Sequence, residues 1–240
     1  MSGHTGSAGV RFDELFEQGA AALLSGRHRR EPPLTEGGRW PASIVLRLPE
    51  VAVRVLAGWT GELGALAGPG HLLTGSPPAV HVTVRALEPR REAADARDPF
   101  VRRCAAALRR AAAHTPGLPL TITGVTLTPG GVLAQVEAAG PAVPAFFRDL
   151  ETELGADGWY ERDQPRDILY ATLLHLADDV QDAPALVDWV RARRSVSPVT
   201  FTVDRVDLVR TDREDGPDGA FMRPGTLAIA GLGGHLPVGG

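Results

Sequence analysis

One order of elements, helix, strand, helix, strand, strand, occurs twice along this chain, and few folds accommodate that. The first copy starts at Glu50, where Pro49 precedes an amphipathic stretch that runs to Ala67 and is closed by Gly68 and Gly70. The strand AVHVTVRAL (79–87) follows, then a helix from Asp98 to His114 with Asp98 as N-cap and Pro99 in its first turn. Two strands in LPLTITGVTLTPGGVLAQVEA turn at Pro129, Gly130 and Gly131. The second copy opens with a helix from Ala142 to Leu154, the strand ILYATLLHL (168–176) and a helix from Ala183 to Arg194. It closes with a strand over 199–210, an acidic Gly-rich loop and a last strand around TLAIAG. Duplication of structural order predicts an α+β protein of two pseudo-symmetric lobes, each an antiparallel sheet flanked by helices, with corresponding strands on either side of a central cleft.

The chain before this duplication divides differently. Residues 1–10 read as a frayed tail, and Phe12, Leu15, Phe16, Ala20, Leu23 and Leu24 recur at helical spacing from Arg11 to Gly26. The segment GRHRREPPLTEGGRWP reads as loop. Residues 1–42 are therefore expected as an extension that covers one end of the core or mediates dimerisation, and 43–240 as the bilobal domain. The strand SIVLRL (43–48) opens that domain.

Composition narrows the partners. All 25 basic residues are arginine, the formal charge is −4, and the longest basic cluster is Arg27 to Arg30. A long nucleic-acid duplex is not an expected partner, and any small anion must be held by arginine, hydroxyls or backbone amides. The Arg, Ala, Gly and Pro bias is also what a GC-rich bacterial genome produces. Cys104 is the single cysteine, which excludes an internal disulfide and a cysteine metal cluster, and it is expected in the core. The start lacks a signal-peptide pattern and no run of eighteen apolar residues occurs, so a membrane is not expected and the cytoplasm is the default location.

Chemistry concentrates on the two corresponding strands. Side chains alternate with a period of two, so His81, Thr83 and Arg85 share one face while Val80, Val82 and Val84 take the other. A polar row of this kind is either simply solvated or lines a cleft. Superposing the two strand segments puts Val80 over Leu169, His81 over Tyr170, Thr83 over Thr172 and Val84 over Leu173. Both strands read apolar, ring, apolar, Thr, apolar, a far more specific pattern than one H-x-T tripeptide.

Over roughly residues 43 to 210 the chain resembles the 2H phosphoesterase superfamily, which includes 2′-5′ RNA ligase-like proteins and cyclic nucleotide phosphodiesterases; HVTV at 81–84 carries its first motif. The resemblance implies two H-x-T/S motifs on facing strands, one imidazole as general base, the other as general acid, and two hydroxyls holding phosphate. His81 and Thr83 match that pattern. At the second motif Thr172 matches, and Tyr170 stands in the second histidine's place.

A phenol, with a reference pKa near 10, is a poor base at neutral pH and a legitimate donor. His81 is therefore expected as base and Tyr170 as acid or hydrogen-bond donor, which favours hydrolysis over ligation. His175 is an odd number of residues from Tyr170, so without a bulge it points to the opposite face, a structural or rim position. Arg85 is the candidate anion clamp or a solvated strand-end arginine, and His71, in the loop before the first motif, reaches the cleft mouth or is an ordinary loop histidine. Trp159 and Tyr160 either stack on a flat ligand or cover the edge of the core. Asp157, Glu161, Asp163 and Asp167 are irregularly spaced, and no metal or other cofactor is expected. The leading expectation is a metal-independent phosphodiesterase acting on a small phosphodiester such as a 2′,3′-cyclic nucleotide. The alternatives are acid/base chemistry on a non-nucleotide metabolite, or a catalytically silent protein that binds a small ligand. The oligomeric state is left open.

Overall fold

A computed structural model describes residues 5–77, 79–162, 166–216 and 219–234. In chain order the elements are α1 (Thr5–Leu24), β1 (Ala42–Arg47), α2 (Glu50–Ala67), β2 (His81–Glu88), α3 (Pro99–Ala113), β3 (Leu118–Thr128), β4 (Gly131–Ala138) and α4 (Ala142–Leu154). A 3-10 segment, Gly155–Glu161, then leads to β5 (Leu169–His175), α5 (Ala183–Arg191), β6 (Val199–Val203), β7 (Arg205–Gly216) and β8 (Gly219–Gly231). Asp98 caps α3 by accepting from the amides of Phe100 and Val101, with Pro99 behind it in the first turn.

The strands form an antiparallel array in the order β6-β3-β4-β5-β2-β1-β7-β8. It consists of two four-stranded halves that meet at β5 and β2 through the single pair Val82↔Ala171. So narrow a seam lets the halves splay, and this opens a cleft over the junction. Val82 and Ala171 are fully buried in one apolar core with Leu56, Leu63, Phe146 and Leu186 from the helices. Residues flanking Val82 and Ala171 must project the other way.

The expected strand over 199–210 is two strands, divided at Asp204, because β6 pairs with β3 in one half whereas β7 pairs with β1 in the other. Each half thus combines two strands that precede Ala142 with two that follow it. The acidic loop expected next is instead the hairpin of β7 and β8, which stay paired from Arg205↔Gly231 to Gly216↔Gly219.

Helix α1 starts at Thr5, not at Arg11 as expected. Its anchored turns hold Phe12, Phe16, Ala20 and Leu23 in the core, and adding residues outward from a formed helix costs far less than starting one. The helix lies on β3 so closely that a Cβ at Gly19 would sit 2.6 Å from the Leu127 carbonyl carbon. Beyond it the loop follows β5, where the Glu31 amide donates to the Leu176 carbonyl at 2.6 Å. Cys104 is buried, and burial first of all pushes its thiol up to about 12. Among the described residues no helix is long and apolar enough to cross a membrane.

Candidate active site

A cavity of about 730 Å³ lies over the junction of the two halves and is lined by His81 and Thr83 of β2 and by Tyr170 and Thr172 of β5. Because Val82 and Ala171 pair antiparallel, the two short segments run past each other about a local pseudo-twofold. His81 lies toward Thr172 and Thr83 toward Tyr170. Ser43 of β1, Thr211 of β7 and Thr74 of the loop after α2 add hydroxyls to the wall.

Past these motifs both strands break their alternation at equivalent places. In β2 the register with β1 passes from Val45↔Thr83 to Ile44↔Arg85, so Val84 is an extra residue. In β5 the register with β4 passes from Leu133↔Thr172 to Val132↔Leu174, so Leu173 is extra. Each bulge reverses the phase of the residues after it. Ala86 on β2 and His175 on β5, both three residues beyond their motif threonine, therefore line the cavity.

This geometry corrects two expectations with one cause. Arg85 is turned out of the cavity; its Nη2 donates to the Gly158 carbonyl at 2.7 Å and its Nη1 lies 3.9 Å from Glu151. It ties the 3-10 segment to β2 and is not an anion clamp in this cavity. His175, expected on the opposite face, is brought in. The cavity's guanidinium groups belong instead to Arg39 and Arg166. Arg166 donates to Glu161 Oε1 at 2.7 Å, and Glu161 Oε2 accepts from the Ala86 amide at 3.0 Å.

His71 also lies away from the cleft mouth. It is 2% exposed; its Nδ1 accepts from the Ala177 amide at 3.2 Å, which leaves Nε2 to donate to the Ala67 carbonyl, also at 3.2 Å. Burial lowers its pKa and keeps the ring neutral, as those two bonds require. Tyr160 lines the cavity, whereas Trp159, 52% exposed, does not; their rings meet edge-on at 5.5 Å. Asp163 lies outside the described residues. Among those described, no group of three or more His, Cys, Asp or Glu could hold a metal ion.

The His81 ring has one proton position set by the backbone. Its Nδ1 is 2.7 Å from the Ala79 carbonyl oxygen, which can only accept, so Nδ1 carries the hydrogen and Nε2 of the neutral ring carries the free lone pair. Burial lowers its pKa first, and Arg47 and Arg166 push the same way against the Ala79 carbonyl. Arg47 stands opposite His81 in the β1–β2 register and lies 3.6 Å from buried Asp207. His81 is thus held neutral, in the tautomer a general base needs.

Sequence reasoning missed the share of the extension in this site. Arg39, Trp40 and Pro41 form one wall. Behind them Glu31, almost wholly buried, accepts from Trp40 Nε1 at 2.9 Å and pairs with Arg39 at 2.9 Å. His175 sits against this group, its ring edge-on to Trp40 at 4.8 Å and its Nδ1 3.7 Å from Glu31 Oε2. Burial, then Arg39, His81 and Arg29, lower its pKa to about 3. Glu31 acts in the opposite direction, with its charge shared with Arg39 and with the Trp40 indole N–H.

The protein TT0787 of Thermus thermophilus superposes with a TM-score of 0.53 at 20% identity, covering 81% of this chain and 98% of that one. E. coli LigT, crystallised with 3′-AMP, superposes with a TM-score of 0.51 at 14% identity, covering 80% and 98%. The chain shares the fold of these two proteins, which is the fold that the 2H phosphoesterase resemblance implies. No family model matches it, and no curated protein matches its sequence. The α+β architecture in two antiparallel halves around a cleft is therefore both the expected one and the one these proteins share.

Proposed function

We propose that this chain is a metal-independent phosphodiesterase acting on a small phosphodiester such as a 2′,3′-cyclic nucleotide, with His81 as general base and Tyr170 as donor to the leaving oxygen. The observation that carries the reading is the tautomer of His81, whose Nε2 lone pair belongs to a ring lining the cavity with both motif threonines. The binding of 3′-AMP by LigT, which shares the fold, supports a nucleotide as ligand. In hydrolysis His81 Nε2 takes a proton from water as the water oxygen bonds to phosphorus. The bond from phosphorus to one ribose oxygen then breaks, that oxygen receives a proton from the Tyr170 phenol, and both groups are restored as His81 releases its proton to solvent and the phenol takes one back. Thr83 and Thr172 hydroxyls donate to the non-bridging oxygens, and Arg166 and Arg39 supply positive charge at the wall.

Steady-state hydrolysis of the four 2′,3′-cyclic nucleotides tests this directly, and absence of turnover on all of them overturns it. Tyr170→Phe should lower kcat by no more than about 10²-fold, the low end for an acid–base group, because water can replace the lost donor. Tyr170→His should raise the rate above wild type, since imidazole is a better proton donor near neutrality. A Tyr170→His variant that folds and is inert would show that this position does not face the leaving oxygen.

The pH profile follows from the lowered pKa of His81. A base works only when neutral, so a pKa below the usual ~6.5 keeps it competent at lower pH. We expect kcat/KM to stay level from about pH 8 down through about 6.5 and to decline only below that. A decline centred above that ordinary imidazole value would assign the base elsewhere.

A further inference from the structure

Two polar groups at the end of the cavity walled by the extension have no part in the mechanism above. The Thr74 hydroxyl is one: the residue is 3% exposed, lines the cavity, and its Oγ1 has no hydrogen-bond partner. A buried hydroxyl without a partner is costly, and a ligand oxygen at this wall would satisfy it. His175 is the other.

The fold builds these two residues into one unit. Leu72 and His175 exchange backbone hydrogen bonds at 3.1 and 3.0 Å, and the Gly75 amide donates to the Leu173 carbonyl at 2.9 Å, at the bulge itself. Thr74 is thereby clamped beside the strand. Only glycine permits the approach at 75, since a Cβ there would lie 2.0 Å from Thr60 Oγ1 and 3.0 Å from Leu173 Cα. On the far side of the imidazole, Trp40 is the one described non-glycine residue with positive φ, 69°, and it directly precedes Pro41. Backbone of that kind persists only where its surroundings hold it, and here the bond from Trp40 Nε1 to Glu31 does so. Strain is maintained at the wall that sets the orientation of His175.

We propose that His175 and Thr74 form a second substrate-contacting pair, which hydrogen-bonds a phosphoryl oxygen of the bound phosphodiester while His81 acts as base. The inference rests on the phosphodiesterase reading and deepens it. Glu31 and Trp40 are positioning residues for the ring; Nδ1 is 3.7 Å from Glu31 Oε2, outside hydrogen-bond reach, so no bond holds the ring hydrogen there, and with the hydrogen on Nε2 the neutral ring donates to the ligand oxygen. Burial, Arg39, His81 and Arg29 keep the imidazole neutral, so it contributes a hydrogen bond and not a proton. A neutral imidazole can serve in this way as an electrophile toward a developing oxyanion.

The test uses the full chain with 2′,3′-cyclic AMP as substrate and inorganic phosphate as binding probe. His175→Ala and Thr74→Val should each lower kcat/KM about 10- to 100-fold, as expected for a lost hydrogen bond to a charged group. His175→Gln, which keeps an N–H donor, should recover part of the loss, and Thr74→Ser most of it. The acid limb of the pH profile should stay where it is in His175→Gln, a result that loss of a titrating residue would not give. If His81→Ala abolishes turnover while His175→Gln and Thr74→Val keep kcat/KM within about twofold of wild type, the pair is not in contact with substrate and the phosphodiesterase reading stands. If the wild-type chain hydrolyses no cyclic nucleotide, that reading fails, and nitrogen-15 imidazole spectra decide the pair. A His175 shift on adding phosphate that Thr74→Val abolishes upholds the contact, and an unmoved His175 resonance overturns it.

Discussion

Replacing His81 with alanine is expected to lower kcat/KM on 2′,3′-cyclic nucleotides by about 10²–10⁴-fold, the range for removing a general base. The loss should exceed that of any other single change in the cavity, because His81 is the ring whose tautomer the backbone sets through the Ala79 carbonyl and whose charge is suppressed by burial and by Arg47 and Arg166. In the proposed mechanism Tyr170 serves only a leaving oxygen that solvent can also serve. His81→Gln should be as slow as His81→Ala, since an amide fills the space without accepting a proton at neutral pH. Thermal midpoints measured beside the rates separate chemistry from folding: His81 is only half-buried, and its removal leaves the packing of Val82 intact. Full activity of a folded His81→Ala would remove this residue from the mechanism.

Asp207→Ala should destabilise the fold by about 3 kcal/mol, the low end of what breaking a buried ion pair costs. Asp207 has no exposed surface; its carboxylate accepts from Arg205 at 2.7 and 2.8 Å and from Thr226 at 3.2 Å, and lies 3.6 Å from Arg47. Alanine leaves two guanidinium groups facing an emptied site. Both are partly open to water, which is why the low end applies. For a chain of this size that corresponds to a drop in Tm of roughly 6–12 °C. The change also reaches the cavity: Asp207 offsets the charge of Arg47, which stands opposite His81, so without it the His81 pKa falls further and the acid limb of the pH profile moves to lower pH. Denaturant titration and a pH–rate series on the same variant read both effects. A variant within about 1 kcal/mol of wild type would show that Asp207 is not the ion pair's anchor.

How far the site was legible depends on where each strand stops alternating. His81, Thr83, Tyr170 and Thr172 lie close to the pairing point of Val82 and Ala171, before either bulge, so a period-two reading placed all four on the cavity side. Arg85 and His175 lie beyond the bulges at Val84 and Leu173. The same reading placed one of them inside and the other outside, and both positions are reversed. A signal for the second reversal is present in the sequence: Leu173 and Leu174 are adjacent apolar residues, which strict alternation on a half-buried strand does not give, and the structure buries both. Nothing local marked Arg39 and Trp40 as cavity residues, or Glu31 as their support, because a loop carries no periodicity that says which surface it will cover.

Spacing along single stretches of chain is enough to specify the duplicated order of elements, the apolar positions that become the core, and the phase of the two motif strands at Val82 and Ala171. Tertiary structure alone decided that β6 crosses to β3 while β7 goes to β1, that each motif strand changes phase one residue after its threonine, and that the N-terminal loop closes one end of the cavity. The physical reason is that a bulge and a docked loop belong to pairs of segments. Leu173 is the extra residue only because β4 holds one register before it and another after it, and because Gly75 reaches its carbonyl. Those partners are distant in sequence, and the constraint exists only once the chain has brought them together.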